Sequence, residues 1–301
     1  MAPPAAWVEG LRPRTLPAAI APIPVGLGAA AGFGPVSWTR AALALAVAMA
    51  LQIGVNFAND YSDGIRGADA KRVGPRRLVA SGDASPAAVR AAALAAFAVA
   101  AAAGAALAGL SGHWWLIGVG AAAILAAWFY TGGPRPYGYA GFGEAGVFVF
   151  FGPVAVLGTA YTQHPRLSLA AVAGSFGIGL LACAILMANN LRDIPSDRKA
   201  GKLTLAVRLG DRRARRVYTG EIAAAFLAVA PCALAEPRAW VTLLMAVPAI
   251  RAVGAVARGA RGEALVAVLR GTGRIELGYG LLLGLALGVR MGLGAASGPL
   301  G

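Results

Sequence analysis

Nine runs of 17 to 24 residues, nearly free of charge and rich in Ala, Leu, Val and Gly, recur along the chain at roughly 15–33, 41–58, 87–110, 114–130, 144–161, 168–190, 217–235, 239–257 and 275–292. A helix needs about 20 apolar residues to cross the hydrocarbon core of a bilayer. A segment in lipid must also satisfy its own backbone hydrogen bonds, which an isolated strand cannot do. The pattern therefore predicts an all-α, polytopic membrane protein, a bundle of about nine transmembrane helices. Composition agrees, with 58% hydrophobic and 13% charged residues, against about 25% charged in a soluble domain. The first run follows Arg12 and Arg14 and is not closed by a small-residue cleavage site, so it reads as a retained span and not a signal peptide.

The net charge is +14. In a soluble protein this would suggest nucleic acid or an acidic partner. Here the placement of the charge matters more. When the loops are assigned alternately to the two sides, one side collects 23 of the 27 basic residues. The other holds Arg40, Arg166, Arg238 and Arg290. The positive-inside rule puts the basic side, with the N-terminus, in the cytoplasm and the C-terminus outside. The expected location is the cell membrane, with the bilayer as partner and no nucleic acid. Cys183 and Cys232 lie inside apolar runs and read as small buried hydrophobes, and no disulfide or zinc spacing is present.

Carboxylates near a bilayer are costly and need a reason. Two groups stand out. The second run ends in NFANDYSDGIRGAD, with Asp60, Asp63 and Asp69; the sixth ends in MANNLRDIPSDRKAGKLTLAVRLG, with Asp193 and Asp197. Asn59 precedes Asp63 by four residues, and Asn189 precedes Asp193 by four. The same Asn-x-x-x-Asp pair thus closes two helices on the same side. This weak repeat suggests two related halves, about 1–110 and 111–235, facing one cavity open to the cytoplasmic side, with C-terminal helices added; residues 1–301 form one domain. Residues i and i+4 share one helix face, so each pair can aim at one point. Pro195 predicts that the sixth helix ends near Asp193, with Asp197 reaching in from the loop.

Basic residues follow both groups: Arg66, Lys71, Arg72, Arg76 and Arg77 in one, Arg192, Arg198, Lys199, Lys202 and Arg208 in the other. Several carboxylates and an amide suit a hard divalent cation. Mg²⁺ usually takes one or two carboxylates and fills its remaining positions with water and substrate phosphate, and Arg and Lys can neutralise the rest of the phosphate. Asn59, Asp60, Asp63, Asp69, Asp193 and Asp197 are the candidate metal ligands. Arg66, Lys71, Arg72, Lys202 and the two asparagines are candidates for the substrate. There is no GxxxxGK[ST] loop or Rossmann fingerprint, so nucleotide hydrolysis is not supported.

Residues 128–144 read WFYTGGPRPYGYAGFGE. Tyr130, Tyr137 and Tyr139 sit among glycines and prolines, which is not helix-forming sequence. Glycine lets backbone approach a ligand closely. Tyrosine faces can stabilise a cation, and Arg135 could bind a carboxylate or phosphate.

NDYSDGIRGAD, YTGGPRPYGYAGFGE and NNLRDIPSDRKAGKLTLAVRLG, with the opening WVEGLRPRTLPAAIAPIPVG, together resemble the UbiA-type intramembrane aromatic prenyltransferases, and within them the branch that acts on 1,4-dihydroxy-2-naphthoate in menaquinone synthesis. These motifs cover residues 7–210. The family's motif NDxxDxxxD falls on Asn59, Asp60, Asp63 and position 67, where this chain has Gly67; Asp69 is the candidate replacement. The second motif, DxxxD, falls on Asp193 and Asp197. The resemblance implies two Mg²⁺ ions bridging these motifs and the diphosphate of a polyprenyl chain. It implies catalytic roles for Asp63, Asp193, Tyr130 and Arg135, with Tyr139 near the substrate and Arg14 reaching the polar pocket. The implied reaction is prenyl transfer to the naphthoate with loss of CO₂. Rival readings are a prenyltransferase for 4-hydroxybenzoate, homogentisate or a porphyrin-type ring, and a small-solute transporter.

Overall fold

The computed structural model describes residues 3–67 and 77–289. Asp69, Lys71 and Arg72, among the candidates above, lie outside the described residues. Among those described, eleven helices run in order: α1 (Pro4–Gly10), α2 (Pro17–Ala31), α3 (Trp38–Ile65), α4 (Pro86–Ser111), α5 (Leu116–Phe129), α6 (Gly143–Gln163), α7 (Leu169–Lys199), α8 (Leu205–Leu209), α9 (Asp211–Ala235), α10 (Pro237–Ala257) and α11 (Glu263–Gly288). Each predicted apolar run falls on one of α2–α7 or α9–α11. By length and composition, six of them (α3, α4, α6, α7, α9 and α10) can cross a membrane, while α2 and α5 are shorter apolar helices.

The helix ends follow from local chemistry. Ser37, Ser85 and Ser168 accept from the backbone N–H three residues on, at 3.3, 3.2 and 3.1 Å, and so cap α3, α4 and α7. Each serine satisfies one N–H that the helix itself leaves unbonded. α4 stops at Gly112, whose φ of 75° is left-handed, and the His113 N–H closes back on the Ala108 carbonyl at 3.0 Å.

α7 is the centre of the bundle. It packs against α6, α9 and α11, while α3 and α4 pair along their lengths and α2 lies against α11 and α6. The most apolar stretch of α7 is 67% buried, against 22% for α4, so α7 is the core helix and α4 a peripheral one. Small residues allow the tightest crossing. A Cβ on Gly28 would collide with the Gly284 carbonyl, and one on Gly284 with the Pro24 carbonyl. Helices in lipid gain most of their association from such close contact. Trp38, Leu227, Leu234 and Ile250 point outward. In water this would be an aggregation-prone surface, whereas in lipid it costs nothing.

Two local features depart from expectation. α7 does not end near Asp193; it runs through Pro195 to Lys199. Proline there removes one intrahelical bond, but Leu191 and Ile194 pack into the core next to it, and Ser196 Oγ donates to the Asp193 carbonyl at 2.9 Å. Asp197 is therefore a helix residue one turn from Asp193, not a loop residue. The second is a wide π turn in α6, Phe150–Val154, which contains Pro153. There Gly152 meets α7 so closely that an added Cβ would lie 2.9 Å from Gly179 Cα. Such bulges often mark functional sites, and this one turns Phe150, Phe151 and Val154 toward a central cavity.

Candidate active site

A cavity of about 630 Å³ lies among α2, α3, α4, α5, α6 and α7, within the size range of small-molecule sites. Its lining divides by position along the helices. Where α3, α5 and α7 end and α6 begins, the wall carries Asn59, Asp63, Tyr130, Tyr137, Asn189 and Lys202. Toward the opposite end of the bundle it carries Val47, Leu107, Val119, Phe151 and Val154. The cavity is thus polar at one end and apolar at the other.

The polar end is assembled by contacts far apart in sequence. Asp63 is 2% exposed. Its Oδ1 accepts from the Tyr139 hydroxyl at 2.7 Å and its Oδ2 from Lys202 Nζ at 3.2 Å. Lys202 is placed by the end of α7. Gly201 takes a left-handed φ of 70°, and the Lys202 N–H donates to the Asp197 carbonyl at 2.8 Å while Gly201 N–H donates to Arg198. This is the paired C-terminal closure that favours glycine. Lys202 therefore ties the two motif regions together, its backbone on one and its ammonium on the other. Its ammonium also lies 5.0 Å from the centre of the Tyr139 ring.

The second group is neutralised from within its own helix. Arg192 forks onto both oxygens of Asp193, at 2.7 and 2.8 Å, and reaches Asn189 Oδ1 at 2.9 Å. Both side chains of the pair are under 5% exposed. Removing two charges from water is expensive, and this bidentate geometry is what offsets it. Asn59 Oδ1 accepts from Thr131 Oγ1 at 2.7 Å, and Asn190 Nδ2 donates to Glu144 Oε1 at 3.1 Å.

Residues 130–142 fold back on the end of α5. Tyr137 N–H donates to the Phe129 carbonyl at 3.2 Å and Gly138 N–H to the Tyr130 carbonyl at 3.0 Å. A Cβ on Gly138 would sit 2.6 Å from that carbonyl, so this glycine serves a close approach within the loop, not to a ligand. The Tyr130 and Tyr137 rings meet edge to face at 5.5 Å. Burial pushes the Tyr137 hydroxyl up to about 12, so it stays a neutral phenol at pH 7.

Residues 19–268 match the model of the UbiA prenyltransferase family. The chain belongs to the UbiA prenyltransferase family. It is 55% identical over 94% of its length to a Mycobacterium tuberculosis protein named 1,4-dihydroxy-2-naphthoate octaprenyltransferase, covering 97% of that relative. An Escherichia coli protein of the same name is 42% identical over 71% of each chain. The fold matches a solved UbiA homolog from Archaeoglobus fulgidus, described as bound to GPP and Mg²⁺, with a TM-score of 0.65 and 17% identity over 94% of this chain and 99% of that one. Family membership and the six candidate spans make this a multi-pass membrane protein.

Against that family background, the candidates divide. Asn59, Asp63, Tyr130, Asn189, Lys202 and the rim residue Arg14 all line the cavity. Asp193 and Asp197 are buried on α7 one turn apart. Three others do different work. Asp60 is turned away from the cavity wall; its carboxylate accepts from the backbone N–H groups of Leu78 and Val79 at 2.9 and 3.1 Å. It pins the chain that returns to α4, because a step of one residue rotates a side chain about 100° around the helix from Asn59. Arg66 is a clamp, not a wall residue: it donates to the Ser62 and Thr131 carbonyls at 3.2 and 2.6 Å and also to that of Gly133. Arg135 is exposed and does not line the cavity. The reading of residue types missed Thr131 and the role of Arg192, since neither a hydroxyl in a loop nor one arginine among many carries a distinctive spacing.

Among the described residues, no three His, Cys, Asp or Glu side chains gather in a way that could hold a metal ion by themselves. The donor set nonetheless fits Mg²⁺, which binds through one or two carboxylates and completes its shell with water and substrate phosphate. Asp63, Asn59 and Asn189 line one cavity, and Asp193 lies one turn beyond Asn189 on the same helix.

Proposed function

We propose that this chain transfers the polyprenyl group of a polyprenyl diphosphate to 1,4-dihydroxy-2-naphthoate, with loss of CO₂, to give demethylmenaquinol, which oxidises to demethylmenaquinone. The reaction class is carried by one observation: a single cavity of about 630 Å³ has a charged end where Asn59, Asp63, Asn189 and Lys202 meet and a mostly apolar end lined by Val47, Leu107, Val119, Phe151 and Val154. A diphosphate suits the first and an isoprenoid the second. The acceptor is supported by the named relatives.

Asn59, Asp63, Asn189, Asp193 and Asp197 would hold Mg²⁺ in the complex with donor; Mg²⁺ supplies positive charge against the diphosphate. Lys202 and Arg192 add cationic hydrogen-bond donors at the same end, where negative charge grows on the departing diphosphate. As the allylic C–O bond lengthens, the cationic carbon lies against the faces of Tyr130 and Tyr137, which stay neutral and present π density. The surrounding helices keep water from that carbon. The naphthoate ring then attacks it, and the ring carboxylate leaves as CO₂, its electron pair restoring the aromatic ring. The cavity's polar end faces the cytoplasm in this reading, on the side where basic residues concentrate.

The test is prenyl transfer by purified protein with radiolabelled polyprenyl diphosphate, 1,4-dihydroxy-2-naphthoate and Mg²⁺, with and without chelator. The expected result is naphthoquinol product that chelator abolishes, and its loss in Asp193→Ala despite normal membrane insertion. Near-wild-type turnover of Asp193→Ala would remove the metal assignment. A preference for 4-hydroxybenzoate or homogentisate over the naphthoate would overturn the acceptor.

A further inference from the structure

At the same end of the bundle as Lys202, but outside the central cavity, a cleft of about 350 Å³ lies between the start of α9 and the end of α10, lined by Arg212, Arg215, Arg216, Thr219 and Ala257. Its charges are unevenly matched. Arg215 is buried and fully engaged: it takes both oxygens of Asp211 at 2.8 Å and donates to the carbonyls of Val256 and Ala260 at 2.7 and 3.0 Å. Asp211 is thus used up on Arg215. Arg212 and Arg216 are exposed, one helical turn apart on one face. Among the described residues, no carboxylate lines the cleft. Arg261, close enough to act on Asp211, adds a further positive charge beside it.

The position of the cleft relative to the bilayer follows from length. α9 has 25 residues, about 37 Å at 1.5 Å each. The hydrocarbon core takes up roughly 20 of them, which leaves about five in the headgroup layer. The charges sit where that remainder must be, since Asp211, Arg212, Arg213, Arg215 and Arg216 open the helix and the segment beyond is mostly apolar. Basic pockets between helices at this depth attract anionic lipid headgroups. Arginine suits a phosphodiester well, because its fork offers two parallel donors.

We infer that this cleft binds the phosphodiester headgroup of an anionic glycerophospholipid, with Arg212 and Arg216 as its phosphate donors beside Arg215, which Asp211 holds in place from outside the lining. The bound lipid seats the catalytic end of the bundle at the membrane surface. Prenyl transfer plays no part in this binding, so the site stands or falls independently of the reaction.

The experiment is a lipid titration of the full-length protein in detergent, read by native mass spectrometry, with phosphatidylglycerol, phosphatidylcholine and sodium phosphate as probes. Each arginine near an anionic headgroup contributes enough that losing two weakens binding by about 30-fold. Arg212→Gln with Arg216→Gln is expected to show that loss for phosphatidylglycerol and no change for phosphatidylcholine. Arg251→Gln with Arg270→Gln removes the same charge from exposed positions outside the cleft and is expected to keep wild-type affinity. The inference is overturned if the cleft pair binds phosphatidylglycerol as tightly as wild type, or if the control pair weakens equally. Displacement of the lipid by an equal concentration of sodium phosphate would instead show a free-phosphate site and overturn the lipid assignment.

Discussion

Lys202→Met tests the contact on which the site depends. Lys202 Nζ and Asp63 Oδ2 are 3.2 Å apart, with side-chain exposures of 14% and 3%. Methionine keeps the length of the side chain and removes the charge, so Asp63 retains the Tyr139 hydroxyl and loses its cation. Stranding a buried partner costs roughly 3–5 kcal/mol. The partial exposure of Lys202 and the polar wall put this case at the lower end, about 3 kcal/mol. At roughly 2 °C per kcal/mol for a large domain, the fall in Tm is about 6 °C. Asp63→Asn added to Lys202→Met removes the stranded charge and should recover most of that loss, which gives a strong coupling in the double-mutant cycle. Mg²⁺ should also raise the Tm of Lys202→Met more than that of wild type, since a divalent cation replaces the missing charge at Asp63. The measurement is thermal unfolding by intrinsic fluorescence in one detergent, with and without Mg²⁺. If Lys202→Met melts with wild type, or if the two substitutions simply add, Asp63 is not held by Lys202 and the meeting of the two motifs is not energetically real.

Two further outcomes test the roles proposed for Asp60 and Arg135. Asp60→Asn should lower Tm by weakening the hold on the Leu78 and Val79 N–H groups while leaving the Mg²⁺ concentration for half-maximal rate unchanged; a raised Mg²⁺ requirement would return Asp60 to the metal. Arg135→Ala should keep kcat/KM for both substrates close to wild type, and a tenfold or greater loss would mean that the exposed loop closes over the substrate.

Much of the polar cavity wall was legible because it depends on local spacing. Asn59 with Asp63 and Asn189 with Asp193 share helix faces by the i, i+4 rule, and both asparagines and Asp63 do line the cavity. The same rule, applied one residue on, accounts for Asp60 turning away. Arg66 could not be told from a ligand-binding cation by type alone, because an arginine satisfies a carbonyl as readily as a phosphate, and nothing in its residue type says that Arg135 is exposed. Pro195 misled for a related reason. Its cost is local and fixed, whereas the gain from packing Leu191 and Ile194 into the core just before it comes from the rest of the bundle.

What the chain's order of residues determined alone was its solvent and its helices: runs of about 20 apolar residues leave few choices once the surrounding medium is hydrocarbon, and the clustered charges mark where those runs end. What only the tertiary structure decided was partnership. Lys202 meets Asp63 across 139 positions of sequence, and Thr131 meets Asn59 across 72. Contacts at such separations depend on how helices cross, which is set by glycine-sized gaps such as Gly28 on Gly284 and by packing summed over the whole bundle, not by any one segment's own preference.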